Sequence, residues 1–398
     1  MSNGSSSFTI VLNTKNNRTK VFTYFCPPYG KNPARMTKED AIENFDPNGV
    51  AAPGRLFGLP FDVDNASLVL IPVPWEVTVS YSAGCAKGPE AILKASSQVD
   101  LYQKDIEGAW KYGIAMLDLP RSLRKMSEAL RVAAANYIED LEEGFVSEDS
   151  AEAKEILAHI DAGCKEMVDW VRQTAVQLRA KGKRVALVGG DHSTPLGLIE
   201  ALASDEGEFG ILQLDAHADL RVAYEGFEYS HASIMYNALK LAQVSKLVQV
   251  GIRDFCESEA EMIRDAKGRI ETFFYPDLEA RRFGGESWEQ ICNEIISRLP
   301  QKVYLSFDID ALDPKLCPNT GTPVPGGFEF EEVNYLMTML ARSGKVIIGF
   351  DLNEVSPGPA PDALDHNDWD GNVGARLLYR MCNLMGVSQG NLMWADRR

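Results

Sequence analysis

From residue 183 onward the chain repeats one pattern, a short apolar run, a loop and then an amphipathic stretch. The apolar runs lie near 184–188, 210–214, 246–251, 271–275, 302–307 and 345–350. The helical stretches lie near 194–203, 231–242, 257–266, 287–298, 329–342 and 372–385. Strands separated by helices pair in parallel, and a parallel sheet needs helices over both faces. An earlier run, Ser67-Leu68-Val69-Leu70-Ile71-Pro72-Val73-Pro74, opens the series. Gly88-Pro89-Glu90 then starts a helix running to about Val99, with proline in its first turn. Residues 121–144 and 150–181 read as two long helices, and the acidic stretch Glu139–Asp149 as a solvated turn between them. Residues 1–65 are rich in Asn, Gly and Pro, with Phe22, Tyr24, Phe25 and the Cys26-Pro27-Pro28-Tyr29 cluster. They are expected to form an irregular N-terminal extension packed on the body or on a neighbouring subunit. No linker divides residues 66–398, which read as one α/β domain.

Composition removes several function classes. The net charge of −17 argues against nucleic acid as the main partner and is compatible with a cationic one. No stretch approaches the ~18 apolar residues of a membrane span. The seven cysteines are scattered and odd in number, as expected for reduced thiols in a cytoplasmic protein. There is no Gly-x-Gly-x-x-Gly and no P-loop, so nucleotide binding has no support.

Four short pieces carry the chemistry: Gly-Gly-Asp-His at 189–192, Asp-Ala-His-Ala-Asp at 215–219, Ser-His at 230–231 and Ser-Phe-Asp-Ile-Asp at 306–310. The first, second and fourth each close an apolar run, where open parallel sheets place their sites. In an extended chain, residues i, i+2 and i+4 point the same way. Asp215, His217 and Asp219 therefore converge, as do Asp308 and Asp310. Clustered carboxylates and imidazoles repel unless a cation lies between them. With His192, the set offers six ligands, enough for two ions. Its oxygen-rich character suits Mn²⁺, with Ni²⁺, Fe²⁺ or Co²⁺ as alternatives, rather than a thiolate zinc site or calcium. Two ions about 3.5–4 Å apart can share a water and lower its pKa. His159 reads as a structural residue within a helix. His366, in the loop Asp365-His366-Asn367-Asp368-Trp369-Asp370, is a lesser candidate for a pocket role.

With GGDHS at 189–193, DAHADL at 215–220, SHAS at 230–233, SFDIDALDP at 306–314, TGTPVPGG at 320–327 and DLNEVSP at 351–357, the chain resembles the arginase/agmatinase (ureohydrolase) family. The resemblance implies a three-layer α/β/α sandwich around a mostly parallel eight-stranded sheet. It also implies a dinuclear, usually manganese, centre with nickel as the alternative, and a homo-oligomer, trimer or hexamer. It implies that His192, Asp215, His217, Asp219, Asp308 and Asp310 hold the ions, with Asp219 and Asp308 bridging. It makes Asp219 and His231 the proton-handling groups and Glu354 the partner of a substrate guanidinium.

The loop Leu220–Tyr229 has the length of the agmatinase branch, so arginine is disfavoured. In the loop Trp75-Glu76-Val77-Thr78-Val79-Ser80-Tyr81, Trp75 and Thr78 replace smaller or more flexible residues of typical agmatinases. They are expected to narrow the pocket, with Thr78 accepting from a guanidinium nitrogen. That leans the expected substrate towards free guanidine, hydrolysed to urea and ammonia, with agmatine as the alternative. A non-catalytic relative, or another hydrolase on this fold, is a more distant reading.

Overall fold

The structure, a computed structural model, describes residues 36–358 and 368–395, together with the backbone of residues 7–14 and 18–25. Two strands, β1 (Ser7–Thr14) and β2 (Arg18–Phe25), form an antiparallel hairpin of their own. Part of the N-terminal region, expected to be irregular, is therefore a hairpin. Its alternation of β-branched and aromatic residues, Phe8-Thr9-Ile10-Val11 and Val21-Phe22-Thr23-Tyr24, is strand chemistry. Cys26, Tyr29 and His366 lie outside the described residues.

Eight strands build the main sheet: β3 (Leu68–Val73), β4 (Ile114–Met116), β5 (Arg184–Gly189), β6 (Phe209–Leu214), β7 (Val244–Ile252), β8 (Ile270–Phe274), β9 (Lys302–Asp308) and β10 (Val346–Asn353). Their order is β4-β3-β5-β10-β9-β6-β7-β8, and every pairing is parallel. β3 and β6 are buried at every residue, which requires cover on both faces. Helices Arg121–Glu142, Ala151–Ala180, Leu196–Asp205 and Ile234–Leu239 pack on one another in succession as one layer. Helices Gly88–Ser96, Trp369–Ser388, Phe330–Arg342 and Trp288–Ser297 form the other. This is the expected three-layer α/β/α architecture, with the sheet wholly parallel.

Three elements differ from the sequence reading. β4 is only three residues long, too short for a periodic signal. Helix Tyr275–Phe283 follows β8 without a loop, with Pro276 in its first turn. The expected helix at 231–242 is a 3₁₀ turn at His231–Ser233 and a short helix at Ile234–Leu239. Leu56, Phe57, Leu59 and Phe61 are buried in the main core, so the packed body begins before residue 66. Exposed His159 makes no core contact of the kind expected of a structural histidine. The six described cysteines are free thiols, and no described helix is long and apolar enough to cross a membrane.

Glycine at 190 is dictated by a close approach. A Cβ there would lie 1.8 Å from the Trp75 carbonyl oxygen, backbone that cannot swing aside. The same carbonyl accepts the Asp191 N–H at 2.8 Å, and the Gly190 carbonyl accepts the Glu354 N–H at 2.8 Å. Gly190 thus joins the ends of β3, β5 and β10. Gly190→Ala is predicted to lower stability by about 1–3 kcal/mol, the usual range for overpacking. Denaturant unfolding measures this, and an unchanged midpoint with an unchanged slope would contradict the close approach.

Candidate metal centre and active site

The sheet order brings together residues far apart in the chain. β5, β10, β9 and β6 are adjacent, and their carboxyl ends carry His192, Glu354, Asp308 with Asp310, and Asp215 to Asp219. Asp215, Asp308 and Asp310 are at most 3% exposed. His192 Nδ1 lies 3.0 Å from Asp215 Oδ2, 3.1 Å from Asp219 Oδ2 and 3.3 Å from Asp308 Oδ2. His217 Nδ1 lies 3.0 Å from Asp310 Oδ2 and 3.6 Å from Asp215 Oδ1. Two groups have metal-binding spacing: His192 with Asp215 and Asp308, and His217 with Asp215 and Asp310. They share Asp215. The sequence reading made Asp219 and Asp308 the bridges; in the structure Asp308 falls in the His192 group alone, and Asp219, beside His192, falls in neither. The difference arises because Asp215 turns one oxygen to each histidine.

The hydrogen bonds show what the cluster lacks. Ser306 Oγ donates to Asp351 Oδ1 at 3.0 Å, which uses its only hydrogen. At 2.9 Å from His192 Nε2 it can then only accept, so a ring proton is on Nε2. Nδ1, without a hydrogen-bond partner, faces three carboxylate oxygens; burial disfavours the charged imidazole, but these carboxylates outweigh it and hold its pKa well above the usual value. Asp310 Oδ2 is buried and unpartnered in the same way. Among the described residues, no lysine or arginine pairs with these carboxylates. Burial, with Asp310 and Asp215 alongside, pushes the Asp308 carboxyl well above its ordinary range. Burial likewise raises Asp219 to about 7. Imidazole nitrogens and carboxylates converging with no lysine or arginine among them are the donor set of a hard divalent ion.

Backbone strain marks two of the positions. Asp219 and Glu354 have φ of 55° and 62°, left-handed values uncommon for non-glycine residues. Glu354 is 4% exposed and takes the His192 N–H on Oε1 at 2.8 Å. Burial, and then Asp191, push its carboxyl well above the usual range. His231 follows Ser230, which caps the turn by accepting the Ala232 N–H at 3.2 Å. Burial, with His217 and His192 nearby, depresses the His231 imidazole to about 3, so it is neutral at physiological pH.

A cavity of about 410 Å³ opens over the cluster. Its lining includes Tyr81, His217, Asp219, Tyr224, His231 and Asp254. Arg221 also reaches it, stacked 4.7 Å from the Tyr224 ring and 3.9 Å from Glu259. Trp75 and Thr78, expected at the pocket, are completely buried and are not part of this lining. Their loop contributes Ser80 and Tyr81 instead, because Arg131 holds the carbonyls of Val77 and Val79 inward. Sequence reasoning missed Tyr81, Tyr224 and Asp254. Only the loops containing the two tyrosines were legible as candidates.

Comparison with known proteins decides the family. The Arginase family model matches residues 66–382. The chain belongs to the arginase family. It is 30% identical over 334 residues to N(1)-aminopropylagmatine ureohydrolase of Thermus thermophilus, covering 84% of this chain and 94% of that protein. It is 29% identical over 337 residues to an agmatinase of Neisseria meningitidis serogroup B, covering 83% of this chain and 91% of that one. The fold matches the crystal structure of agmatine ureohydrolase of Thermoplasma volcanium with a TM-score of 0.61 and 23% identity, over 88% of this chain and 99% of that one. Proclavaminate amidino hydrolase from Streptomyces clavuligerus gives a TM-score of 0.62 at 21% identity, over 85% of this chain and 99% of that chain.

The crowded carboxylates generate a prediction of their own. A carboxyl raised by burial opposes folding above its unfolded pKa, because ionising it is harder in the folded state. Asp308→Asn is therefore expected to stabilise the metal-free protein at pH 7–8 by on the order of 1 kcal/mol. The gain should shrink as pH falls towards 4, and metal content should drop. Unfolding curves in chelator measure the first, and metal analysis of the variant reloaded with Mn²⁺ the second. Lower stability in chelator at pH 8, with full metal retention, would contradict the crowding argument.

Proposed function

We propose that this chain hydrolyses the guanidino group of a small non-arginine substrate, with release of urea. The observation that carries the reading is the meeting of two candidate metal groups with Glu354, which is bonded directly to the His192 backbone. His192 with Asp308 and Asp219 would hold one divalent ion and His217 with Asp310 the other, Asp215 serving both. Manganese is the first candidate and nickel the second. When bound, the two ions supply Lewis acidity and a water activated for attack.

The chain's own residues do the rest. Glu354 pairs with the substrate's planar cation, a role suited to a buried carboxylate with one oxygen already fixed. Asp219, on the cavity wall, accepts the proton of the attacking water and passes it to the departing nitrogen. His231, neutral and on the same wall, takes up a proton and hands it on. Tyr81, Tyr224 and Phe255 line the cavity in front of these groups.

An alkylguanidine with a cationic tail, of the agmatine type, is the substrate reading that the cavity favours. Free guanidine has four heavy atoms and would leave most of 410 Å³ to water. Aromatic rings and the exposed carboxylate of Asp254 suit an aliphatic tail ending in an ammonium. The relatives named agmatinase and N(1)-aminopropylagmatine ureohydrolase support the same class. Free guanidine is the second reading. Two buried hydroxyls without a partner favour it: Thr78 Oγ1 and Thr320 Oγ1. They lie on segments flanking Gly190 and Gly321, which adjoin Glu354, where a small planar ligand donating all round would satisfy acceptors.

Urea release from agmatine, free guanidine, guanidinobutyrate and arginine, on manganese- and nickel-loaded protein, tests the reading. Fastest turnover of agmatine is expected. Preference for guanidine would install the second reading, and no urea from any would sink the proposal. Glu354→Gln should lower kcat/KM by roughly 10²–10³ with both metals retained, as for loss of one partner of a buried ion pair. Wild-type kcat/KM in that variant would remove Glu354 from substrate binding.

A further inference from the structure

Beneath the candidate ligands, three neighbouring strands carry polar side chains in one row. Gln213 on β6 is in register with Gln249 on β7, and Gln249 with Thr272 on β8. Both glutamines are completely buried among apolar residues, where an amide is costly unless fully bonded. Thr272 Oγ1 donates to Gln249 Oε1 at 2.8 Å. Gln249 Nε2 donates to Gln213 Oε1 at 2.7 Å and to the Ala218 carbonyl at 2.7 Å. Gln213 Nε2 donates to Asp215 Oδ2 at 2.8 Å and to the His217 carbonyl at 3.2 Å.

The direction of this row is forced. An amide can be flipped to exchange its oxygen and nitrogen. The carbonyls of His217 and Ala218, however, can only accept. Each requires a side-chain N–H, so both glutamines turn their nitrogens towards the 215–219 loop. Gln249 Oε1 then faces Thr272, whose hydroxyl must donate. Every N–H of both amides is used, one of them on a carboxylate that the two metal groups share. The bond to the Ala218 carbonyl also holds the residue before Asp219, whose φ of 55° is left-handed.

We propose that Gln213, Gln249 and Thr272 are positioning residues that set the affinity of the centre for its metals. They hold the 215–219 loop in the shape that receives the ions, by donating to one ligand and to two loop carbonyls. The proposal rests on the reading that Asp215, His217 and Asp219 are metal ligands. Outer partners of this kind typically change metal affinity by about 10–100-fold. Because β8 is the outermost strand, the row carries this influence from the centre to the edge of the sheet.

Titration calorimetry of Mn²⁺ into chelator-stripped protein is the test. Gln249→Met keeps the length of the side chain and removes its bonds, and should weaken binding by about 10–100-fold. Thr272→Val removes only the hydroxyl and should weaken it in the same direction by less, while Thr272→Ser should restore it. At saturating Mn²⁺, kcat should return to within a few-fold of wild type, since no residue of the row touches substrate. Wild-type affinity in Gln249→Met and in Thr272→Val would overturn the proposal. If Gln249→Met does not fold, the Val and Ser variants at 272 decide it. Failure of the wild type to bind Mn²⁺ or Ni²⁺ would instead overturn the underlying metal reading.

Discussion

The repulsion among Asp215, Asp219, Asp308 and Asp310 is the constraint to which the rest of the structure answers. Four carboxylates close on two imidazoles with no lysine or arginine to balance them among the described residues. His192 turns one ring nitrogen to three of their oxygens, while its other ring nitrogen meets Ser306. Such an arrangement stores unfavourable energy unless a cation enters it. A protein selected for stability alone would not keep it, and the site is where function is expected to override stability.

The wholly parallel sheet makes the crowding possible. Every strand delivers its carboxyl end to one side, and the four central strands come from segments spread over residues 184–353. Chain reversal through helices places Asp308 at a strand end and His192, Asp215 and Asp310 just beyond one, while His217 and Asp219 sit on the loop after β6. Where the chain must turn sharply, at Asp219 and Glu354, left-handed backbone of the kind that stores about 1–3 kcal/mol is held by neighbours. The Gly190 carbonyl holds Glu354, and Gln249 holds the residue before Asp219.

Much of this was legible because strand ends and ligand spacing are local properties. Asp215, His217 and Asp219 follow one apolar run, and Asp308 and Asp310 close another, so the strand ends place them at one edge; strict alternation does not, since β6 ends at Leu214, Asp219 is left-handed and Asp310 lies in a 3₁₀ turn. The sharing of Asp215 was not legible, since it depends on which way one carboxylate turns between two histidines on different strand connections. Trp75 and Thr78 were placed at the pocket because their loop was known but its direction was not. Arg131, on a distant helix, turns that segment inward and leaves Tyr81 at the opening. β4 was too short to show a period, and the Gln213–Gln249–Thr272 row becomes visible only once three strands are in register.

The central claim is that the crowded cluster is a two-ion centre. Anomalous diffraction at the manganese edge, from crystals of protein supplied with Mn²⁺, tests it most directly. The account predicts two peaks, one beside His192 and Asp308 and one beside His217 and Asp310, with Asp215 between them. No peak at the cluster, or a single ion bound away from these residues, would contradict it.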